Sequence, residues 1–400
     1  METFETQALR AAIAELGGDL PARVADPSAQ AKLMMTRFLL AHVLGQQRVP
    51  QHFTSIAEEV AALKQAEREE QALLAATSPT SQHQPISSDT LTPYLQRQLQ
   101  MPQLRVTDVQ ASLGGFSKQT YLLKLEGGER YDNALVLRRD QEGGPVEVRA
   151  ADEYAVIRLM HQRGLPVPEP LVVDREPPFG GTLMVMRRVG GQSAFDVTGQ
   201  QLGPESRSAA LALARVLAQI HATPIAALEL PADLAALPVQ EHVRRQVQLY
   251  ENQWMRRRIT VSPTLQATFK WLYSNIPQGH SGPRLVHGDA SLRNLLVLNG
   301  RESAMLDWEL WHVGDASEDI AYARGDVEQA LAWDEFLREY HAHGGLPFDA
   351  ASAEYYAVFG AMRNAVFAQS CLHDLTTARQ PEAKFAYGGL VLGRRLIYSL

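Results

Sequence analysis

LVHGDASLRNLLVLNGRESAMLDWEL, residues 285–310, carries His-Gly-Asp, a lone Asn and Asp-Trp-Glu within one short span. NLLVL and SAMLDW are apolar, strand-like runs parted by NGRE, and Asn-Gly is a strong hairpin signal. With Asn299 to Glu302 as the turn, Leu298 pairs with Ser303, and counting back along both strands brings Asn294 opposite Asp307. A register error of one or two residues would still leave the two groups neighbours at the same end of the hairpin. A hard oxygen pair of this kind suits Mg2+, which takes one or two protein carboxylates and completes its shell with water and substrate phosphates. Asp289, in the loop leading into the hairpin, can point at the same spot and accept a proton from an attacking hydroxyl. Taken singly, an Asp followed by an Asn is more often a cap or turn, and a lone His such as His287 is more often structural than a base. The conjunction, with a hairpin turn between its parts, is hard to generate by chance.

The chain around this stretch has 400 residues, more than one hydrophobic core usually organises, so two or three domains or lobes with a deep cleft are expected. Hydrophobic residues make up 45% and charged residues 21%, and 45 acids against 38 bases give a net charge of -7. Such an acidic balance argues against binding long nucleic acid, whose phosphates require a basic surface. Cys371 is the one cysteine, which excludes an internal disulfide framework and a cysteine-rich metal site and fits a reducing cytoplasm. The opening METFETQALRAAIAEL has no basic n-region, and no apolar run approaches the ~18 residues of a membrane span, so a cytoplasmic protein with no membrane partner is expected.

Residues 5–16, 29–44 and 54–76 read as helices, with Ile56, Val60 and Leu63 on one face of the last. ATSPTSQHQPISSDT, residues 76–90, lacks apolar periodicity and reads as linker. The expected organisation is an N-terminal helical unit over 1–76, linker and lead-in over 77–103, a small lobe over 104–190 and a helical lobe over 191–400. In the small lobe RVTDVQASL, KQTYLLKLEG and ALVLRRD alternate like antiparallel strands. EVRAADEYAVIRLMHQRG follows as a helix with Val148, Ala151, Ala155 and Leu159 on one face, and PLVVD and TLMVMRRV resume strand character.

His-Gly-Asp, four residues, Asn and then a later Asp resembles the catalytic pattern of the aminoglycoside phosphotransferase and choline kinase group of small-molecule kinases. The fold this implies is α+β, a bilobal protein-kinase-like architecture of a small antiparallel-sheet lobe and a larger helical lobe, here with an extra N-terminal helical unit. By the same resemblance Asp289 is the catalytic base, Asn294 and Asp307 hold Mg2+ against the phosphates of ATP, and His287 is structural support. GDASEDIA, residues 314–321, resembles the family's Gly-Asp-Pro-x-x-Asp-Leu-Ala segment, in which the second acid, here Asp319, braces the catalytic loop; Ala316 stands at the proline. A nucleotide site also needs a phosphate loop, which Gly114 and Gly115 with Ser117 just beyond can supply in SLGGFSKQTYLL. It needs a cation on the third strand and an acid on the next helix. Arg138 stands where the family more commonly has lysine, and Glu153 stands at the helix acid's position. Arginine is longer and forked, yet a bidentate contact to a carboxylate suits it. Arg139 is the alternative, although alternation points it away from the cleft. TLMVMRRVGG resembles the hinge between lobes, with backbone near Met186 and Arg187 meeting adenine.

The expected reaction is transfer of the γ-phosphoryl group of ATP to the hydroxyl of a small molecule, mostly a matter of positioning and charge neutralisation. EHVRRQVQLYENQW, WLYSNIP and MLDWELWHVGD resemble the subgroup found fused to, or encoded beside, acyl-CoA dehydrogenases, over roughly residues 105–345. That resemblance implies a hydroxyacyl-CoA acceptor, and Arg244, Arg245, Arg256, Arg257 and Arg258 could receive an anionic carrier, although arginine runs on helices are usually solvated faces. The alternatives are an aminoglycoside or sugar kinase, and a nucleotide-binding pseudokinase scaffold acting through the N-terminal unit. That unit is expected to form a homodimer, recruit a partner enzyme or cover the cleft.

Overall fold

The computed structural model describes residues 85–376, except 113–116, 142–143, 196–201, 259–261, 279–281 and 349. The N-terminal unit expected over 1–76, with its proposed partners, and the glycines Gly114 and Gly115 lie outside the described residues. The first described element is helix α1 (Ser88–Leu99), inside the stretch read as linker and lead-in. Ser87 and Thr90 cap it reciprocally, and Leu91, Tyr94 and Leu95 bury one face, which contacts the first strand of the sheet. The Ser and Thr that suggest a linker by composition serve here as the helix cap.

Five strands follow: β1 (Arg105–Ser112), β2 (Lys118–Glu126), β3 (Ala134–Asp140), then, after helix α2 (Ala150–Gln162), β4 (Pro170–Asp174) and β5 (Leu183–Arg187). They form one antiparallel sheet in the order β1-β2-β3-β5-β4. Period-2 alternation divides its two faces. Leu123, Leu125, Leu135, Leu137, Leu183 and Val185 form a core with Leu91, Tyr94 and Leu95 of α1. Met184 and Met186 face the other way and join the core of the helical lobe. Thr120 lies directly opposite Arg138, and Lys118 opposite Asp140, so these polar groups share the face turned toward that lobe.

Beyond β6 (Gln192–Ser193), the helical lobe is built from α3 (Ser206–His221), α4 (Val239–Arg257) and α5 (Pro263–Ser274). Short strands β7 (Arg284–Val286), β8 (Leu295–Leu298), β9 (Arg301–Met305) and β10 (His312–Gly314) precede α6 (Ser317–Ala330), α7 (Trp333–Ala342) and α8 (Ala350–Thr376). The strands make a β10-β7 pair and a β6-β8-β9 sheet. Small alanines let α3 approach the site closely: Ala209, Ala210, Ala212, Ala214 and Ala218 are all buried. Among the described residues no helix is long and apolar enough to cross a membrane.

The hairpin differs from its expected register. The turn is Asn299-Gly300 alone, at φ 53° and 74°, so Leu298 pairs with Arg301 rather than Ser303. Positive φ at both central residues is what makes Asn-Gly a two-residue hairpin turn. A β-bulge between Leu296 and Val297 then shifts the ladder, leaving Leu296 opposite Ala304 and Leu295 opposite Met305. The N–H of Leu306 donates to the carbonyl of Asn294 at 2.7 Å, so Leu306, and not Asp307, lies across from Asn294.

Candidate active site

His287, Gly288 and Asp289 leave β7 as a loop held from below by Asp319. Its carboxylate accepts from the backbone N–H of His287 at 2.7 Å and of Gly288 at 2.9 Å. His221 adds a third contact to the same carboxylate at 3.1 Å and meets the Tyr340 hydroxyl at 2.8 Å through its other ring nitrogen. Burial alone would raise the pKa of Asp319, but the hydrogen bond and charge of His221 hold it below the usual carboxylate value. Gly288 sits at φ 84°, where an added Cβ would come within 2.3 Å of the Leu310 carbonyl oxygen. Its lack of a side chain is therefore obligatory for the loop to lie against the next strand connection.

The ring of His287 spans the loop. Its Nε2 lies 3.0 Å from the carbonyl oxygen of Leu306, an acceptor, while the N–H of Asp289 donates to its Nδ1 at 3.2 Å. That network assigns a neutral imidazole protonated on Nε2. With both nitrogens engaged and its ring edge-on to Trp308, 4.7 Å between centroids, His287 supports the loop's shape. Asp289 is half-buried, and Nδ2 of Asn294 donates to its Oδ2 at 2.7 Å and to its backbone carbonyl at 2.9 Å. This use of Nδ2 assigns Oδ1 of Asn294 as the acceptor end of the amide.

Asp307 begins the next turn in the left-handed region, φ 64° and ψ 59°, so the chain reverses as it leaves β9. Its Oδ1 accepts from Nη2 of Arg138 at 2.8 Å, while Nη1 of Arg138 is hydrogen-bonded to Glu153, which is fully buried on α2. Arg138 thus bridges the helix acid and Asp307 with two nitrogens of one rigid fork, which a single ammonium would not do with the same geometry. Burial disfavours its charge, but Glu153, Asp307 and Glu309 raise its pKa well above the ordinary guanidinium value. Burial likewise opposes ionisation of Asp307, and the adjacent Arg138 wins, holding it below the ordinary carboxylate value. Glu309 is pushed up to about 7, first by burial and then by the charge of Asp307, against Lys118 and Arg138. Arg139 points to the opposite face, where its Nε donates to Gln119 at 3.1 Å, as alternation requires.

The structure therefore joins Asp289 to Asn294, Arg138 to Asp307 and Glu153, and Ser117 to Glu309, with Asp319 beneath the His287-Gly288 loop and the Leu306–Asn294 hydrogen bond next to Asp307. Met186 is placed differently from the expected hinge contact. It lies inside β5, between Val136 and Pro170, and the N–H of Arg188 still donates to Ala134 at 3.3 Å. Ladder alternation commits the backbone of Met186 to Val136, which leaves it no group to offer a base edge. The five arginines do not converge either. Arg256 and Arg257 reach Glu147 at 2.8 and 3.2 Å, whereas Arg244 and Arg245 lie near Glu241, about 18 Å away along the axis of α4. Arg258 stacks over Trp254 at 5.5 Å.

Three participants escaped the sequence reading. Lys118 stands beside the expected Ser117, and Glu309 two residues after Asp307, so adjacency was the available signal. Arg363 on α8 had none: it is buried, donates to the Gly288 carbonyl and lies 3.2 Å from Glu318, far away in sequence. Among the described residues no group of three His, Cys, Asp or Glu side chains could hold a metal ion. A cation at Asn294 and Asp307 would draw its remaining ligands from water and phosphate, and a carboxylate held below its ordinary value together with an amide oxygen is a donor set that fits Mg2+.

The phosphotransferase enzyme family matches residues 108–356. Acyl-CoA dehydrogenase family member 11 of Gallus gallus is 32% identical over 220 residues, which is 52% of this chain but 26% of that protein. The chain thus matches about a quarter of the length of such relatives. Among solved structures, the GDP complex of aminoglycoside 2'-phosphotransferase-IIIa superposes with TM-score 0.51 at 17% identity, covering 78% of this chain and 99% of that one. A thermostable mutant of aminoglycoside phosphotransferase APH(4)-Ia, in complex with AMP-PNP and hygromycin B, gives TM-score 0.50 at 16% identity over 78% and 98% of the two chains. These structures share the kinase-like fold. The hairpin end, the clamped loop and a family match over more than half the sequence agree, and the chain belongs to the phosphotransferase enzyme family.

Proposed function

We propose that this chain is an ATP- and Mg2+-dependent small-molecule kinase that transfers the γ-phosphoryl group to a substrate hydroxyl, with a hydroxyacyl-CoA as acceptor. The observation that carries the reading is the grouping of Asp289, Asn294 and Asp307 at one end of a hairpin, with Arg138 tied to both Asp307 and Glu153. Asp289 is the proton acceptor. The Asn294 amide holds its Oδ2 at 2.7 Å, and the Asp319 clamp fixes the backbone that carries it. Asn294, through Oδ1, and Asp307 would hold Mg2+, which when bound supplies positive charge to the phosphate oxygens as the phosphoryl group moves. Ser117 and Arg138 stand where the phosphates are received. Nothing more is required of the protein, because phosphoryl transfer is governed by positioning and electrostatics.

ATP as donor is supported by the AMP-PNP bound in the APH(4)-Ia neighbour, and GTP is the alternative donor to assay because the 2'-phosphotransferase neighbour was solved with GDP. The hydroxyacyl-CoA acceptor is supported by the similarity to acyl-CoA dehydrogenase family member 11. The test is Mg2+-dependent transfer from ATP to hydroxyacyl-CoAs, sugars and aminoglycosides, read by mass spectrometry of the products. Phosphorylated hydroxyacyl-CoA is the expected product; transfer to sugars or aminoglycosides alone would replace the acceptor, and nucleotide binding without any transfer would favour the scaffold reading. Asp289→Asn should keep nucleotide affinity while cutting transfer ~100-fold or more. A fully active variant would remove Asp289 from the base's role.

A further inference from the structure

Lys118 and Glu309 have no part in the mechanism above, yet they sit in the middle of its charge cluster. Lys118 is the first residue of β2 and is 1% exposed. Its Nζ lies 3.1 Å from Oε2 of Glu309, 3.1 Å from the Val148 carbonyl and 3.6 Å from Oε2 of Glu153. Because Lys118 and Thr120 share a face with Arg138, the ammonium is a diagonal neighbour of the guanidinium. Both cations share the acid Glu153. A lysine buried this deeply needs its partners, since an unpaired ammonium away from water is costly.

One carboxylate oxygen collects the cluster. Oε2 of Glu309 accepts from the Ser117 hydroxyl, lies 3.1 Å from Lys118 Nζ and 3.6 Å from Nη2 of Arg138. The three donors come from three segments: the end of the loop between β1 and β2, the first residue of β2, and β3. Glu309 reaches them because the left-handed turn at Asp307 sends the chain into the short 3-10 helix Trp308–Leu310, which contacts α2. A hydroxyl and two cations converging on one anionic oxygen form a cradle that a phosphate oxygen would fill equally well.

We infer that Lys118 is a second phosphate-binding cation beside Arg138, and that the Glu309 carboxylate competes with a nucleotide phosphate for the same three donors. The inference rests on the kinase reading of the cleft. Binding a di- or triphosphate then means exchanging one anion for another: Glu309 swings away, Ser117, Lys118 and Arg138 pass to the phosphate, and neither buried cation is left unpaired. Competition of this kind selects against ligands without a phosphate able to reach the cradle, because only the phosphate replaces what Glu309 supplied.

Titration calorimetry of the full chain with ADP and AMP, in EDTA and with Mg2+, tests this. Glu309→Gln should lower the dissociation constant for ADP in EDTA roughly tenfold, and Lys118→Met should raise it roughly tenfold, the size of one charge-assisted hydrogen bond. Lys118→Met should also shrink the preference for ADP over AMP, which a merely structural role would leave intact by weakening both alike. Glu309→Asp retains the charge but draws it back by one methylene, so it should tighten ADP as the Gln variant does, and it serves if that variant fails to fold. Simple charge repulsion predicts no gain for Glu309→Asp, and that result overturns the exchange. Unchanged ADP affinity in Lys118→Met overturns the second cation. Both failures would leave the kinase reading standing as long as the unaltered protein binds nucleotide; no binding of any nucleotide, with or without Mg2+, would overturn that reading and this inference together.

Discussion

At Asp307 the backbone adopts φ 64°, a conformation aspartate tolerates better than most side chains because its short carboxylate can bond locally. The turn leaves Asp307 facing Arg138 and sends Glu309 back toward Lys118, so one unusual residue orients two acids. Arg138 is the complementary case. Its fork serves Glu153 and Asp307 together, and Arg138→Lys should lose one of the two contacts. The expected outcome is nucleotide binding weakened about tenfold, from loss of one charged hydrogen bond, with the fold retained. Equal affinity in the lysine variant would show that the fork is incidental. Gly288→Ala is a harsher change, since the new Cβ would lie 2.3 Å from the Leu310 carbonyl at a positive φ. A loss of about 2 kcal/mol or more is expected in denaturant unfolding. A variant as stable as the parent would mean that the loop has room to shift.

At the scale of elements, the first turn of α6 does two jobs. Asp319 clamps the His287-Gly288 loop, and its removal in Asp319→Ala would strand two backbone N–H groups and the buried His221. The expected cost is about 3 kcal/mol or more, read as a lower unfolding midpoint, because each orphaned buried donor carries its own desolvation penalty. Glu318, next to it, pairs with His312 of β10. The Nε2 of His312 is 3.0 Å from Glu318 and its Nδ1 is 2.9 Å from the Leu310 carbonyl, so both nitrogens face acceptors and both carry protons. Burial opposes that charge, but Glu318 prevails and His312 titrates above its ordinary value. A proton bound more tightly in the folded protein stabilises it fully below about pH 6.5 and ceases to do so as pH rises through the higher folded value. Melting temperature should therefore fall as pH rises above about 6.5 in the parent, and His312→Gln should flatten that slope. Parallel slopes in the two proteins would count against the pairing.

Across the whole molecule, the sheet's second face is what joins the lobes. Met184 and Met186 of β5 share a core with Ala150 and Ile157 of α2, with Leu292 and Leu295 beyond the His287-Gly288-Asp289 loop, and with Trp308. Anything that bridges Ser117 and Arg138 above to Asn294 and Asp307 below should stabilise both lobes together. ATP with Mg2+ at a hundredfold excess over its dissociation constant should add about 2.7 kcal/mol to unfolding stability, and EDTA should remove the part that depends on the metal. A thermal shift identical with and without Mg2+ would argue against a metal held at Asn294 and Asp307.

The kinase-like fold, the alternation of side chains in and out along the strands, and the hairpin that puts Asn294 and Asp307 at the same end were legible in local sequence, because period-2 alternation and Asn-Gly turn chemistry act over a few residues. Arg138 was distinguishable from Arg139 for the same reason. The register was not, since a bulge at Leu296 and Val297 depends on the strands packed around it. Helix α1 was missed because capping residues and linker residues have the same composition. Lys118 and Glu309 offered only their adjacency to Ser117 and Asp307, and Arg363 was beyond local reading, because its partners are 75 and 45 residues away. The sequence by itself determined the candidate motif residues and which face of each strand carries its side chains. Only the tertiary structure decided how the cations and acids are paired, because a buried charge is held by whatever the fold places within hydrogen-bonding distance, and that distance is not written in sequence separation.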